Sequence, residues 1–326
     1  MDQKIIELLG ECVLNPHIRK PWVELSQAAF LNKDYHTGYW AAKTALRIKW
    51  TDDQDKKYFG HLPFDIAGVC AYYIGHYRES IDNYVNAWKW CPYDNRIILD
   101  LKMVRRYLNE YSIHILWPTI RPEVFKERIN DWMLKAVHED RIKVKIAVNT
   151  RKQRKELDDF ADVIVVGSDK PGVAYASHRL SSNLDGLPGD IVILASDDFY
   201  PPDNWDIWVY EQFVNYFGGI LVNDGINKDG VVTIPIMDFS CLRFLCNYIY
   251  HPSYNHCFSD NELFDNLSEY KLLKDLRISS PVFEHKHWYP GMRPRDKYDD
   301  LAFGFLDSDE KNYIKRKELP LFDKLK

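Results

Sequence analysis

Four short apolar runs place the strongest constraint on how this 326-residue chain can fold. Segments with the three- and four-residue spacing of helices, at 123–137 and 172–184, lie between them. Strands that alternate with helices indicate a mostly parallel sheet with helices on both faces. We therefore predict an α/β fold for this part of the chain. The predicted strands are residues 112–117, 144–148, 162–166 and 190–195, with a later one at 231–234.

The first third of the chain has a different pattern. Apolar and aromatic residues recur three and four positions apart and glycine is sparse, which predicts helices throughout. Segments 22–45 and 64–92 resemble each other, with small residues and aromatics at the spacings of a tetratricopeptide repeat, and extra residues fall at 49–61. We predict a tetratricopeptide-like domain over 1–108 and an α/β domain over 109–326. A plain helical bundle with coincidental spacings is the alternative.

Composition narrows the class of protein. Apolar residues make up 46% of the chain, which fits a globular protein rather than a disordered one. The formal net charge of −5 gives no general attraction to nucleic acid or to an anionic membrane. No apolar run reaches the ~18 residues of a membrane span, and the charged N-terminus does not read as a signal peptide. Six scattered cysteines match no zinc spacing and favour a reducing compartment, so we expect a cytoplasmic protein.

Two adjacent acids, Asp197 and Asp198, directly follow the fourth apolar run. Carboxylates at the end of a buried strand are costly unless something pairs with them, and a divalent cation is a suitable partner. In open α/β sheets, ligands bind beyond the carboxyl ends of the strands. We therefore predict the functional site at this point. The simpler interpretation is a turn in which one aspartate caps the next helix.

From about Tyr111 to the C-terminus, the chain resembles family 2 glycosyltransferases of the GT-A fold. The resemblance is carried by four motifs in the family's order, at residues 117–122, 172–179, 189–198 and 258–263. It implies a GT-A-type α/β fold and a soluble enzyme that moves a sugar from a nucleoside-diphosphate sugar to an acceptor hydroxyl. A UDP-sugar is the expected donor, and inversion at the anomeric carbon is the expected outcome.

The same resemblance implies a donor site and a Mn²⁺ or Mg²⁺ site. Its donor-binding residues are Pro118, Thr119, Arg121, Asp169, Tyr175, Arg179 and Asp197. Asp198 aligns best with the family's metal ligand, although Ser196 stands where that motif usually has its first aspartate.

A late histidine often completes the metal site in the family, and His285 and His287 would share one face of a strand. His285 is the favoured ligand. The alternative is that either histidine only makes hydrogen bonds in the core or at the surface. Arg293 or Arg295, in the C-terminal tail, is a further candidate for contact with a donor phosphate.

The downstream acidic motif implies the catalytic base. Asp260 would accept the proton of the acceptor hydroxyl, and Glu262 is the alternative base. The sequence leaves the acceptor undecided between a glycan, a protein and modified DNA. Whether the protein forms a homo-oligomer is also undecided.

Two other functions fit the sequence. One is a phage-type DNA glycosyltransferase that acts on a hydroxymethylated base, against which the net charge argues mildly because phosphate contacts require a basic face. The other is a non-catalytic scaffold whose helical repeats bind a peptide. The retained acids and the late histidine favour an enzyme over the scaffold.

Overall fold

A computed structural model describes residues 2–51, 54–91, 94–167, 172–287, 291–319 and 324. The chain divides into two compact units. The first comprises Met1–Asn109 and Val214–Phe217, and the second comprises Glu110–Phe213 and Gly218–Lys326. Among the described residues, no helix combines the length and the apolar character needed to cross a membrane.

The first unit is helical in its described part. The two segments predicted as repeats correspond to two helix pairs, Arg19–Leu31 with Tyr35–Arg47 and Leu62–Tyr73 with Tyr77–Trp90. The extra residues at 49–61 include a short 3-10 helix, Lys56–Phe59. This helical region fits a tetratricopeptide-like domain. Its α-helices are α1 (Gln3–Leu14), α2 (Arg19–Leu31), α3 (Tyr35–Arg47), α4 (Leu62–Tyr73), α5 (Tyr77–Trp90) and α6 (Asn95–Arg105).

Small residues allow these helices to approach closely. A Cβ atom added to Gly68 would lie 2.9 Å from the ring of Tyr84, and one added to Gly38 would lie 2.8 Å from Cys70 Sγ. The side chain of Ser80 donates to the Gly68 carbonyl across the same α4–α5 contact, at 2.7 Å. Tyr84 is fully buried there, so its ring fills the space that the glycine leaves.

The second unit contains a seven-stranded sheet and a separate two-stranded sheet. The strands are β1 (Ile113–Pro118), β2 (Ile142–Val148), β3 (Val163–Val165), β4 (Ile191–Leu194), β5 (Phe199–Tyr200), β6 (Gly219–Leu221), β7 (Ile236–Asp238), β8 (Leu273–Asp275) and β9 (Glu284–His285). The large sheet has the order β3-β2-β1-β4-β7-β6-β8, and β7 is antiparallel to both of its neighbours. The other pairings are parallel. Strands β5 and β9 form the small sheet.

Helices flank this sheet. They are α7 (Pro122–Leu134), α8 (Arg151–Glu156), α9 (Val173–Ser182), α10 (Trp205–Phe213), α11 (Phe239–Phe244), α12 (Ser259–Glu269), α13 (Lys297–Phe303) and α14 (Leu306–Lys317), with a 3-10 turn at Glu139–Arg141. The predicted fold class, a mostly parallel α/β sheet flanked by helices and preceded by a helical region, is confirmed.

Two strand predictions were wrong in detail. Residues 231–234 form no strand, and the antiparallel strand β7 begins two residues later, at Ile236. Val231, Val232 and Ile234 are buried, but in a loop in which Val232 N–H points to the Asp260 carbonyl at 3.4 Å. The strand predicted to contain both His285 and His287 is reduced to β9, because the chain turns after His285 and His287 N–H donates back to the His285 carbonyl.

A buried His–Asp pair fixes the start of the central strands. Asp190, which precedes β4, accepts from Ser112 N–H and Leu187 N–H at 2.9 Å each, and His114 Nε2 lies 3.0 Å from it. Burial alone would raise the pKa of Asp190, but these hydrogen bonds outweigh it and hold the pKa below its ordinary value. The N-terminal ends of β1 and β4 are therefore locked together, at the sheet edge opposite the predicted site.

The contact between Gly68 and Tyr84 generates a stability prediction. Gly68→Ala should lower the free energy of unfolding by about 1–3 kcal/mol, because the new methyl group overlaps a buried ring. Gly10→Ala, in the middle of α1 with open space around the added Cβ, is the matched control. That change should raise the free energy of unfolding by about 0.5–1 kcal/mol through helix propensity alone. Urea denaturation followed by circular dichroism measures both, and equal stability of the two variants would contradict the close packing.

Candidate active site

The predicted site lies where the strand order reverses. From β1 the chain proceeds to β2 and β3 on one side of the sheet, whereas β4 lies on the other side of β1. Such a reversal opens a crevice at the carboxyl ends of the two strands, which is where open α/β sheets bind their ligands. Thr119 and Arg121 follow β1, and Asp197 and Asp198 follow β4, so both groups lie at this crevice.

Asp197 faces inward and joins the two strand ends. Its carboxylate accepts hydrogen bonds from Trp117 Nε1 at 3.0 Å, Thr119 Oγ1 at 3.0 Å and Arg121 Nε at 3.2 Å. Burial raises the pKa of Asp197, while the three donors act in the opposite direction. Trp117 was part of the quoted motif but not a predicted site residue, because sequence alone does not show where an indole N–H points.

Asp198 faces the other way, toward the late histidines. Ser196 Oγ donates to its carboxylate, His285 Nε2 lies 3.3 Å from Asp198 Oδ2, and the guanidinium of Arg293 lies 3.9 Å from the same oxygen. Burial would raise the pKa of Asp198, but His285, Ser196 and Arg293 outweigh it and hold the pKa well below its ordinary value. Asp198 is therefore a carboxylate whose charged form is favoured.

The small sheet explains why these two residues meet. Phe199, next to Asp198, pairs with His285 across β5 and β9, and Lys286 N–H donates to the Asp198 carbonyl at 2.9 Å. The Nδ1 atom of His285 is buried and has no hydrogen-bond partner among the residues that the structure describes. The ring of His287 lies 5.0 Å from that of His285, although it lies beyond the end of the strand.

A segment near the C-terminus completes the site. Arg293 donates two hydrogen bonds of 2.7 Å to Asp299, and Asp296 accepts from Arg121 Nη1 at 3.0 Å. Sequence reasoning missed Asp296 and Asp299, although their three-residue spacing is that of the capping box that begins α13. Arg295, the other predicted phosphate contact, pairs instead with Asp300 at 2.7 Å.

The two candidate bases occupy different environments on α12. Glu262 is buried and accepts from Arg316 Nε and Nη2 at 2.7 Å each and from Tyr254 Oη at 2.6 Å. Within the described ranges Asp260 makes no comparable ion pair, and its carboxylate accepts from Asn261 N–H at 3.0 Å. Burial raises the pKa of Asp260, although the charges of Lys228 and His285 act to lower it.

The remaining predicted donor-binding residues, apart from Asp169, lie on β1 and α9. Pro118 is the last residue of β1. Tyr175 and Arg179 lie one turn apart on α9, where Arg179 Nη1 is 3.4 Å from Tyr175 Oη. Asp169 lies outside the described residues, so its predicted role is not addressed by the structure.

Comparisons with known proteins add little. No protein-family model and no curated protein matches this sequence. Among solved structures, a mutant O-GlcNAc transferase from Thermobaculum terrenum matches at 11% identity with a TM-score of 0.27. The match covers 56% of this chain and 41% of that protein, so the chain spans about two fifths of its length. A similarity this low carries no argument about function.

A cation–aromatic stack supports the small sheet from behind the site. Arg128 Cζ lies 3.7 Å and Lys286 Nζ 3.8 Å from the centre of the Tyr200 ring, and Arg128 Nη2 lies 3.0 Å from its hydroxyl. Two cations at this distance occupy opposite faces of one ring, since one face has no room for both. Because Lys286 follows His285 directly, the stack holds β9 against β5.

This arrangement predicts that two substitutions of Tyr200 lower the free energy of unfolding by different amounts. Tyr200→Phe keeps the ring between the two cations and loses one hydrogen bond, so it should cost about 0.5–1.5 kcal/mol of stability. Tyr200→Leu also removes the ring and should cost about 1–2 kcal/mol more. Urea denaturation of the two variants and the wild type measures the difference. A Leu variant as stable as the Phe variant would show that the cations contribute nothing.

Proposed function

We propose that this chain is a glycosyltransferase that moves a sugar from a nucleoside-diphosphate sugar to an acceptor hydroxyl, with Mn²⁺ or Mg²⁺ bound. The observation that carries the proposal is the convergence of Asp197, Asp198 and His285 at the reversal of strand order. Crevices of this kind bind nucleotides in other open α/β sheets. A UDP-sugar donor and inversion at the anomeric carbon follow from the family resemblance.

Asp197 would organise the nucleotide side of the site. Both of its oxygens accept hydrogen bonds, so the carboxylate fixes the donors Thr119 and Arg121 rather than contacting the ligand itself. The Arg121 side chain is 21% exposed and bridges Asp197 and Asp296. Its remaining N–H groups would donate to an oxygen of the donor ribose or phosphate.

Asp198 and His285 would hold the metal ion. A carboxylate oxygen and an imidazole nitrogen 3.3 Å apart form a donor pair that Mn²⁺ accepts. Among the described residues, no cluster of three or more His, Cys, Asp or Glu side chains is arranged as a metal site. The chain would therefore supply part of the coordination, and diphosphate oxygens and water the rest. When bound, the cation would stabilise the negative charge of the departing diphosphate.

Asp260 is the better candidate for the base. A base must be free to accept a proton, and both oxygens of Glu262 are already committed to Arg316. Burial raises the pKa of Asp260, which strengthens its carboxylate as a proton acceptor. The same pKa shift makes this residue the candidate to take the proton of the acceptor hydroxyl as that oxygen attacks the anomeric carbon.

The metal site is tested by Asp198→Asn, which keeps the shape of the side chain and removes its charge. Transfer or hydrolysis of a UDP-sugar should fall on the order of 100-fold or more, because a metal ligand is lost. Asp203→Asn, an exposed acid five positions away, is the control and should leave the rate unchanged. The measurement is release of UDP from UDP-glucose, UDP-galactose and UDP-N-acetylglucosamine with added Mn²⁺. Full activity of the wild type in excess chelator would rule out the metal.

The base is tested by comparing Asp260→Asn with Glu262→Gln. Asp260→Asn should fold normally and reduce transfer by roughly 100-fold or more. Glu262→Gln should instead lower stability by about 3–5 kcal/mol, because it leaves the buried guanidinium of Arg316 without its counter-charge. Transfer rates and urea denaturation of both variants separate the two roles, and normal transfer by Asp260→Asn would reassign the base.

The pH dependence gives an independent check on Asp260. The base must be ionised to work, so activity is lost as the pH falls through its pKa. Since burial raises that pKa, the acid limb of the pH–rate profile should lie above the ordinary aspartate value of about 3.9. This limb should disappear from the residual activity of Asp260→Asn.

A further inference from the structure

Five tyrosines of the helical unit form one connected aromatic surface, here called the tyrosine surface: Tyr35, Tyr72, Tyr73, Tyr77 and Tyr107. Tyr35 stacks on Tyr73 with ring centres 4.2 Å apart, and Tyr77 stacks on Tyr107 at 4.7 Å. Tyr72 joins the two stacks, since its ring centre lies 5.2 Å from that of Tyr73 and 5.6 Å from that of Tyr107. The rings therefore make a continuous path.

The surface is assembled by the ends of successive helices. Tyr35 begins α3, Tyr72 and Tyr73 end α4, Tyr77 begins α5, and Tyr107 follows α6. These positions lie at alternate helix boundaries, namely α2–α3, α4–α5 and the end of α6, and the ring contacts bring them together at one edge of the unit. Repeat proteins commonly use such continuous surfaces to bind extended partners.

Two of the five rings are exposed to solvent, and Tyr35, Tyr72 and Tyr77 are half-buried beside them. Tyr73 is 55% exposed and Tyr107 is 46% exposed. Single exposed aromatics are ordinary, but a contiguous group of them marks a binding surface. The hydroxyl of Tyr72 donates to that of Tyr107 at 3.2 Å, so the surface also presents polar groups at the level of its rings.

We propose that the tyrosine surface binds a neutral carbohydrate chain that carries the acceptor hydroxyl, an inference that rests on the proposed function. The face of an aromatic ring is electron-rich, so the C–H groups on the flat side of a sugar ring are attracted to it. Tyrosine hydroxyls both donate and accept hydrogen bonds, which matches a partner whose hydroxyl groups do the same.

The charges around the surface favour a neutral partner. Along the chain, Lys33 and Asp34 precede Tyr35, Arg78 and Glu79 follow Tyr77, and the exposed Arg106 precedes Tyr107, so both signs are found next to the tyrosines. A nucleic acid or another polyanion would require clustered cations along its path. The mixed charges provide no such path, which makes a glycan without charged groups the better fit.

The test is affinity electrophoresis of the full chain in native gels that contain dextran or hydroxyethyl cellulose, without donor or metal. At least one of these neutral polysaccharides should retard the wild type. The double variant Tyr73→Ala, Tyr107→Ala should bind at least fivefold more weakly. Trp90→Ala removes another exposed aromatic of the same unit, 58% exposed, and should bind like the wild type. Circular dichroism checks that each variant is folded.

If the alanine variant is unfolded, Tyr73→Leu with Tyr107→Leu keeps apolar bulk without aromatic faces and should show the same loss. Absence of retardation by both polysaccharides, or equal retardation of the tyrosine variants, would overturn the proposal. So would retardation only by heparin or single-stranded DNA. Asp198→Asn should bind polysaccharide like the wild type, so failure of the donor chemistry is distinguishable from failure of this surface.

Discussion

The candidate site depends on one buried carboxylate, that of Asp197. It is the point at which the ends of β1 and β4 are tied together, through hydrogen bonds from Trp117, Thr119 and Arg121. A buried carboxylate without partners would cost several kcal/mol, so its three donors are a requirement of the fold as well as a feature of the site. Asp197 and Asp198 lie in a turn in which Phe199 N–H donates to the Ser196 carbonyl at 3.2 Å, and the Asp198 carboxylate lies beside His285.

The position of Asp198 then depends on the pairing of β5 with β9, two strands of two residues each. Pairing of Phe199 with His285 sets the imidazole beside the carboxylate, and Tyr200 holds the pair through Arg128 and Lys286. A two-residue ladder has little stability of its own. The surrounding packing therefore determines the geometry: Trp132 Nε1 donates to the Phe199 carbonyl at 3.1 Å, which anchors β5 to helix α7.

Much of the large sheet could be predicted from the sequence, because fully buried parallel strands are continuous apolar runs. Residues 190–195 contain β4, and 144–148 contain most of β2. The small sheet was not predictable in the same way, since two-residue strands have no periodicity to detect. Residues 231–234 show the opposite error: this apolar run is buried in a loop, and Val232 N–H donates to the Asp260 carbonyl of α12 rather than to a strand.

The acid pair and the late histidine could be predicted as site components because they are uncommon residues next to an apolar run. The separate roles of the two aspartates could not be predicted. Which of them faces inward depends on partners about 80 positions earlier in the chain. Asp296 and Asp299 were missed for a similar reason. Their capping-box spacing indicates a helix start, and only the fold brings that helix start next to Arg121, 175 positions away.

The charge balance of the site bears on the role of a cation. Asp197, Asp198, Asp296 and Asp299 contribute four carboxylates, whereas Arg121 and Arg293 contribute two guanidinium groups that already pair with them. A diphosphate would bring further negative charge into a crevice whose nearby fixed charges are already more negative than positive. At contact distance, even with an effective dielectric constant near 20, each unit of like charge costs about 4 kcal/mol. Under the proposed function, either the arginines would leave their carboxylates on donor binding, or an added cation would offset the charge. The second route leaves the hydrogen bonds that shape the crevice in place, and the outward-facing pair of Asp198 and His285 is where such a cation would lie.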